Sequence, residues 1–131
     1  MKDEKIKTYI IDSSFVLCFL LPDENASKVD LIFQSYSQGA LNFLSCPLLH
    51  SEVCNGLVSA VRRKRITQEM AQKLVESFLA LRIPFCDIDN SLALDLVLHT
   101  DLSFYDATYL SLAQEKQLPL LTLDEKLKVL T

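Results

Sequence analysis

Four short runs rich in apolar residues, Tyr9–Ile11, Ala40–Ser45, Phe85–Ile88 and Pro119–Thr122, are separated by longer stretches with helical spacing. Runs this short read as strands, and strands joined through helices run parallel, because the chain must cross over before it can pair again. A parallel sheet needs cover on both faces. The alternation therefore predicts a three-layer α/β domain with helices on both sides of the sheet. At 131 residues one core is affordable. No internal repeat or linker interrupts the chain, which is expected to form a single domain over residues 1–131.

The intervening segments carry their own start and stop signals. Phe15–Leu21 is a continuous apolar stretch ended by Pro22, a buried first helix. A second helix is predicted over Ala26–Tyr36, with Gly39 as its turn. Pro47 suits the first position of a third helix running to about Arg63, where Leu49, Val53, Leu57 and Ala60 form a core-facing stripe. The opposite stripe, Glu52, Asn55, Gly56 and Ser59, is polar and small enough for close approach of another backbone or a ligand. Thr67 is the expected cap of a fourth helix lasting until Pro84, Asn90 of a fifth over Leu92–His99, and Ser103 of a sixth with Asp106 in the capping-box position. Glu125–Val129 makes a final short helix.

Charge and composition remove several classes of function. Lys and Arg number 13 against 17 Asp and Glu, a net charge of −4, so nothing draws the whole chain onto nucleic acid or an acidic membrane. The longest apolar run, Phe15–Leu21, is far short of the roughly 20 residues that span a bilayer. Met1–Lys5 mixes both charges ahead of a short strand, unlike a secretory leader, and a cytoplasmic protein is expected. Cys18, Cys46, Cys54 and Cys86 form no C-x-x-C pair and read as reduced thiols. Cys46, His50 and Cys54 have helical spacing, yet three in-line residues do not surround a tetrahedral zinc ion.

Acidic residues stand where chemistry is expected. Ligands of open parallel sheets bind beyond the carboxyl ends of the strands, and Asp12 and Asp124 follow the first and last runs at that edge. Asp106 opens a helix and Glu52 lies early in another, so both can face the same edge. Each also has a local explanation: helix cap for Asp12, capping box for Asp106, turn residue for Asp124, solvated charge for Glu52. Taken together, four converging carboxylates would repel one another unless a cation lay among them, and an oxygen-only cage suits Mg²⁺ or Mn²⁺.

Ile10-Ile11-Asp12-Ser13-Ser14, the Pro47–Leu57 segment with Glu52, Val53 and Asn55, Phe104-Tyr105-Asp106-Ala107 with Tyr109, Leu110, Leu112 and Ala113, and Leu120-Leu121-Thr122-Leu123-Asp124 with Leu127 resemble the PIN-domain family, most closely its VapC-type toxins. The likeness runs from about Tyr9 to Leu130. It implies a parallel sheet of about five strands and a metal-dependent endoribonuclease, the toxin of a toxin–antitoxin pair. The implied acidic site is Asp12, Glu52, Asp106 and Asp124, with Ser14, Asn55 and Thr122 holding those carboxylates in place. One ion would bind, and a second about 4 Å away would join it with substrate. A homodimer is implied too, and an antitoxin whose tail lies in a hydrophobic groove and blocks the acidic pocket. Phe15, Val16, Leu17, Phe19, Leu20, Leu21, Leu31, Ile32 and Phe33 are candidates for that groove or a dimer face.

Arg62, Arg63, Lys64 and Arg65 are the one concentrated basic run. They either complement the dipole at a helix C-terminus or steer RNA phosphates toward a neighbouring acidic pocket. Two other classes compete with the nuclease. A phosphoacceptor signalling domain shares the doubly wound pattern, but needs paired acids after the first strand, where Asp12 is followed by two serines. A non-catalytic binding module would keep the fold without the activity.

Overall fold

A computed structural model describes residues 6–130; Met1–Lys5, on which the localisation expectation rests, and Thr131 lie outside them. The elements run β1 (Thr8–Ile11), α1 (Ser13–Leu20), α2 (Ser27–Ser37), β2 (Asn42–Leu44), α3 (Leu48–Arg62), α4 (Gln68–Ala80), α5 (Asn90–Leu98), α6 (Phe104–Lys116), β3 (Leu120–Leu121) and α7 (Glu125–Leu130). The sheet is parallel with β1 in the centre, order β2-β1-β3, and pairs Tyr9 with Phe43 and Ile10 with Leu120. Successive strand residues face opposite sides, and Ile10 and Ile11 are both fully buried, so both faces of β1 are covered. No helix among the described residues is long and apolar enough to cross a membrane.

The sheet has three strands among the described residues, not about five. The expected strand Phe85–Ile88 is reduced to one parallel bridge between Phe85 and Ser45, in which Ser45 N–H donates to Pro84 O and Cys86 N–H to Ser45 O, both at 3.0 Å. Pro84 has no N–H to offer a ladder. A few residues later Asp89 turns the chain into α5, its carboxylate accepting from Ser91 N–H and Leu92 N–H, which moves the cap one residue ahead of the expected Asn90. Ala40–Ser45 and Pro119–Thr122 are likewise trimmed to Asn42–Leu44 and Leu120–Leu121.

Helix ends explain the remaining boundaries. Pro47 is the N-cap of α3 rather than its first helical residue. Among the described residues, four chain segments leave a helix through a left-handed residue: Gly39, Lys64, Arg82 and Gln117. At Lys64 (φ 60°) the pattern is a Schellman motif, with Lys64 N–H on Val61 O and Arg65 N–H on Ala60 O. Arg82 at φ 51° stops α4 at Ala80, before Pro84 is reached. The small stripe of α3 does receive a neighbour, since a methyl group at Gly56 would fall on the Leu17 side chain of α1. Of the nine early apolar residues offered as a groove, only Leu31 is exposed; the others are core or packed against it. The apolar groove lies instead between α3 and α4, about 460 Å³, lined by Leu57, Val58, Val61 and Val75 with Cys54 and Arg62 at its margin.

Candidate functional site

Asp12 closes β1 and caps α1. Its Oδ1 accepts from Phe15 N–H at 3.1 Å and from the Ser14 hydroxyl at 2.7 Å, while Oδ2 accepts from the Thr122 hydroxyl in the loop after β3. Thr122 Oγ1 accepts Asp124 N–H (3.0 Å) and Ser14 Oγ accepts Leu123 N–H (2.9 Å), which ties the loop to the end of β1. Asp12 is only 3% exposed. Burial pushes its carboxyl above the ordinary value; the Thr122, Ser14 and Phe15 donors oppose that rise, and the charge of Glu52 adds to it.

Glu52 lies in the second turn of α3 and is not a freely solvated charge. Its Oε1 accepts from the Tyr109 hydroxyl at 2.6 Å and from the Ser13 hydroxyl at 3.2 Å. Oε2 accepts no hydrogen bond among the described residues. Tyr109 is 1% exposed, and burial, reinforced by Glu52, holds its phenol far above the usual range, so it stays a neutral donor.

Asp106 is the third residue of α6, whose first turn is capped by Ser103 Oγ accepting Asp106 N–H at 3.1 Å. Because α6 leads into a strand, its N-terminus lies at the carboxyl edge of the sheet. Burial raises the Asp106 carboxyl, the charge of Asp124 raises it further, and Ser103 and Lys126 pull it back. Asp124 caps α7 through Oδ1, which accepts Lys126 N–H (2.9 Å) and Leu127 N–H (3.4 Å).

The acids thus interact as two pairs, Asp12 with Glu52 and Asp106 with Asp124. Among the described residues no three Asp, Glu, His or Cys side chains are gathered closely enough to hold an ion as they stand. The donor set nevertheless fits a hard divalent cation: it is all oxygen, Glu52 keeps one oxygen free, and neither Asp12 nor Glu52 has an ion-pair partner among the described residues. The zinc-like spacing does not fit. Cys46 precedes α3 and contacts Thr108 at 3.8 Å, and His50 lies edge-on to Phe78 and Phe85. All four cysteines are free thiols.

The sequence matches the family model for the PIN domain over residues 9–131. The chain is a PIN domain. Such domains are generally nucleases, and those nucleases generally use divalent metals. That membership sets aside the phosphoacceptor class. The fold of this PIN domain is similar to the crystal structure of PAE2754 from Pyrobaculum aerophilum, with a TM-score of 0.73 at 21% identity, covering 95% of this chain and 86% of that one. Among curated proteins none matches the sequence.

Two groups of candidate residues stand apart from this PIN-domain site. Asn55 is exposed and bonds none of the four carboxylates among the described residues. The basic run is carried away from the acids by α3: Arg62 lies ten residues beyond Glu52, about 15 Å along the axis. Arg65 is already engaged, its guanidinium meeting Asp23 at 2.8 Å and Glu24 at 2.5 Å. Ser13 and Tyr109, the two donors that hold Glu52, have no role that is read from the sequence. A signal existed for Tyr109, because a phenol within the buried stretch Ala107–Ala113 needs a partner for its hydroxyl. None existed for Ser13, since nothing in Asp12-Ser13-Ser14 says which serine reaches which acid.

Proposed function

We propose that this PIN domain is a metal-dependent endoribonuclease that hydrolyses RNA phosphodiester bonds as the toxin of a toxin–antitoxin pair. The observation that carries this is the pinning of Asp12, buried and with no Lys or Arg paired to it among the described residues, to the loop bearing Asp124 through Ser14 and Thr122. One or two Mg²⁺ or Mn²⁺ ions held by Asp12, Glu52, Asp106 and Asp124 would polarise the scissile phosphate, acidify a water and neutralise the leaving oxygen. Ser14 and Thr122 fix both oxygens of Asp12. Tyr109 and Ser13 hold one oxygen of Glu52 and leave the other to bind or to orient the attacking water. Repulsion between Asp106 and Asp124 keeps that pair receptive to positive charge. Arg62, Arg63 and Lys64 would meet RNA phosphates away from the cut, while Arg65 is occupied by Asp23 and Glu24.

A cognate antitoxin and a homodimer belong to the same proposal, and the groove between α3 and α4 is an apolar surface that could receive such a partner. Light scattering should give twice the chain mass. Asp12→Asn and Asp106→Asn should each fold and lose Mn²⁺-dependent RNA cleavage by about a hundredfold or more, the scale on which a lost metal-site group acts. Retained cleavage by either would refute the assignment. The lack of a preformed three-acid cage favours a second reading, a non-catalytic binding module. That reading requires wild-type chain to be inert with either metal.

A further inference from the structure

The chain's seven Phe and four Tyr all fall among the described residues, and nine of them are buried or half-buried. The two exceptions are adjacent. Phe104 is 38% and Tyr105 59% exposed, and they immediately precede Asp106. The fold does not call for rings there, because Ser103 already caps α6. Neither ring stacks on another, and the Tyr105 hydroxyl has no partner among the described residues.

Their placement is informative. Tyr105 lies one helical turn before Tyr109 on the same face of α6, and the Tyr109 hydroxyl bonds Glu52. Tyr105 therefore extends the stripe that touches Glu52 toward the solvent end of the helix. Leu123, 37% exposed, stands between Thr122 and Asp124 with its N–H on Ser14. Exposed apolar residues thus neighbour Asp106 and Asp124 along the chain, whereas the basic run lies about 15 Å from Glu52 along α3.

We propose that Tyr105, with Phe104 beside it, is the platform on which a nucleobase of the substrate stacks next to the phosphate to be cut. This rests on the nuclease function proposed above. Carboxylates proposed to take up a cation, next to an exposed aromatic surface, suit a ligand that joins an anion to a flat apolar face, and a nucleotide is such a ligand. Stacking accepts every base, and with the Arg and Lys run distant it supplies the local grip that phosphate contacts do not. It also requires the base to be unpaired, since a ring cannot stack on a base held inside a duplex.

The test uses the full chain with Mn²⁺ and a randomised pool of unstructured RNA roughly 12 nucleotides long. Tyr105→Ala should raise KM about tenfold or more with a smaller change in kcat, and Tyr105→Phe, which keeps the ring, should restore KM to within about twofold. Phe104→Ala should move KM in the same direction by less. Unchanged KM in Tyr105→Ala beside an active wild type would overturn the stacking role while leaving the nuclease standing. Equal loss in the Ala and Phe variants would also overturn it, as would a change in light-scattering mass without a change in KM, which would mark a protein contact. A wild-type chain that cleaves none of the pool would remove the nuclease function and the platform together.

Discussion

Tyr109→Phe removes one oxygen from the interior and leaves the ring in place. The lost bond is short, 2.6 Å, and its acceptor is a carboxylate, a class worth about 1.5–3 kcal/mol. Two features place this case at the lower end. Glu52 is half-buried, so water can reach it once the phenol is gone, and Ser13 still donates to the same oxygen at 3.2 Å. The expected loss is about 1.5 kcal/mol, or a urea midpoint lower by about 0.7 M for a slope near 2 kcal/mol/M. Equilibrium unfolding followed by circular dichroism measures it. Ser13→Ala should cost only about 0.5 kcal/mol, and because both donors serve one oxygen the double variant should lose more than the sum of the two. A loss below about 0.5 kcal/mol in Tyr109→Phe, or strict additivity, would refute the view that Glu52 is held between two donors.

Burial raises Asp12 above 3.8, so the folded chain holds that proton more tightly than the unfolded one; the stabilisation is complete below 3.8 and is lost as pH rises through the folded value. Asp12→Asn should therefore gain on wild type in urea as pH rises from acid to neutral, and a gap that moved the other way would contradict the assigned direction. Gly56→Ala sets the better helix propensity of alanine, about 1 kcal/mol, against the shift of the Leu17 side-chain end that a new methyl demands, so stability in urea should change by less than about 1 kcal/mol either way; a larger loss would show that Leu17 cannot move aside. Lys64→Gly should stabilise by about 0.5–1 kcal/mol by relieving a left-handed lysine, and calorimetric melting would expose the absence of any gain.

Much of this architecture was legible because periodicity and caps act locally. The apolar run Tyr9–Ile11, the stop at Pro22, the stripe Leu49–Ala60 and the caps at Thr67 and Ser103 each depend on neighbours a few residues away. What escaped depends on distant partners. Phe85–Ile88 has the composition of a strand, but whether it pairs is decided by Pro84 and by where Asp89 begins α5. The acidic set shows the same division. The Ser14–Asp12 contact spans two residues, whereas Tyr109–Glu52 spans 57 and Ser13–Glu52 spans 39. The basic run was readable as a charge cluster, yet its distance from the acids follows from the length of α3, and the engagement of Arg65 from a loop 42 residues earlier.

The most direct measurement of the central proposal is calorimetric titration of the purified chain with Mn²⁺, in parallel with Asp12→Asn and Asp106→Asn. Binding by wild type that is lost in both variants is expected if four carboxylates from separate segments serve one cation site. The absence of Mn²⁺ uptake by wild type, or undiminished uptake by both variants, would contradict it.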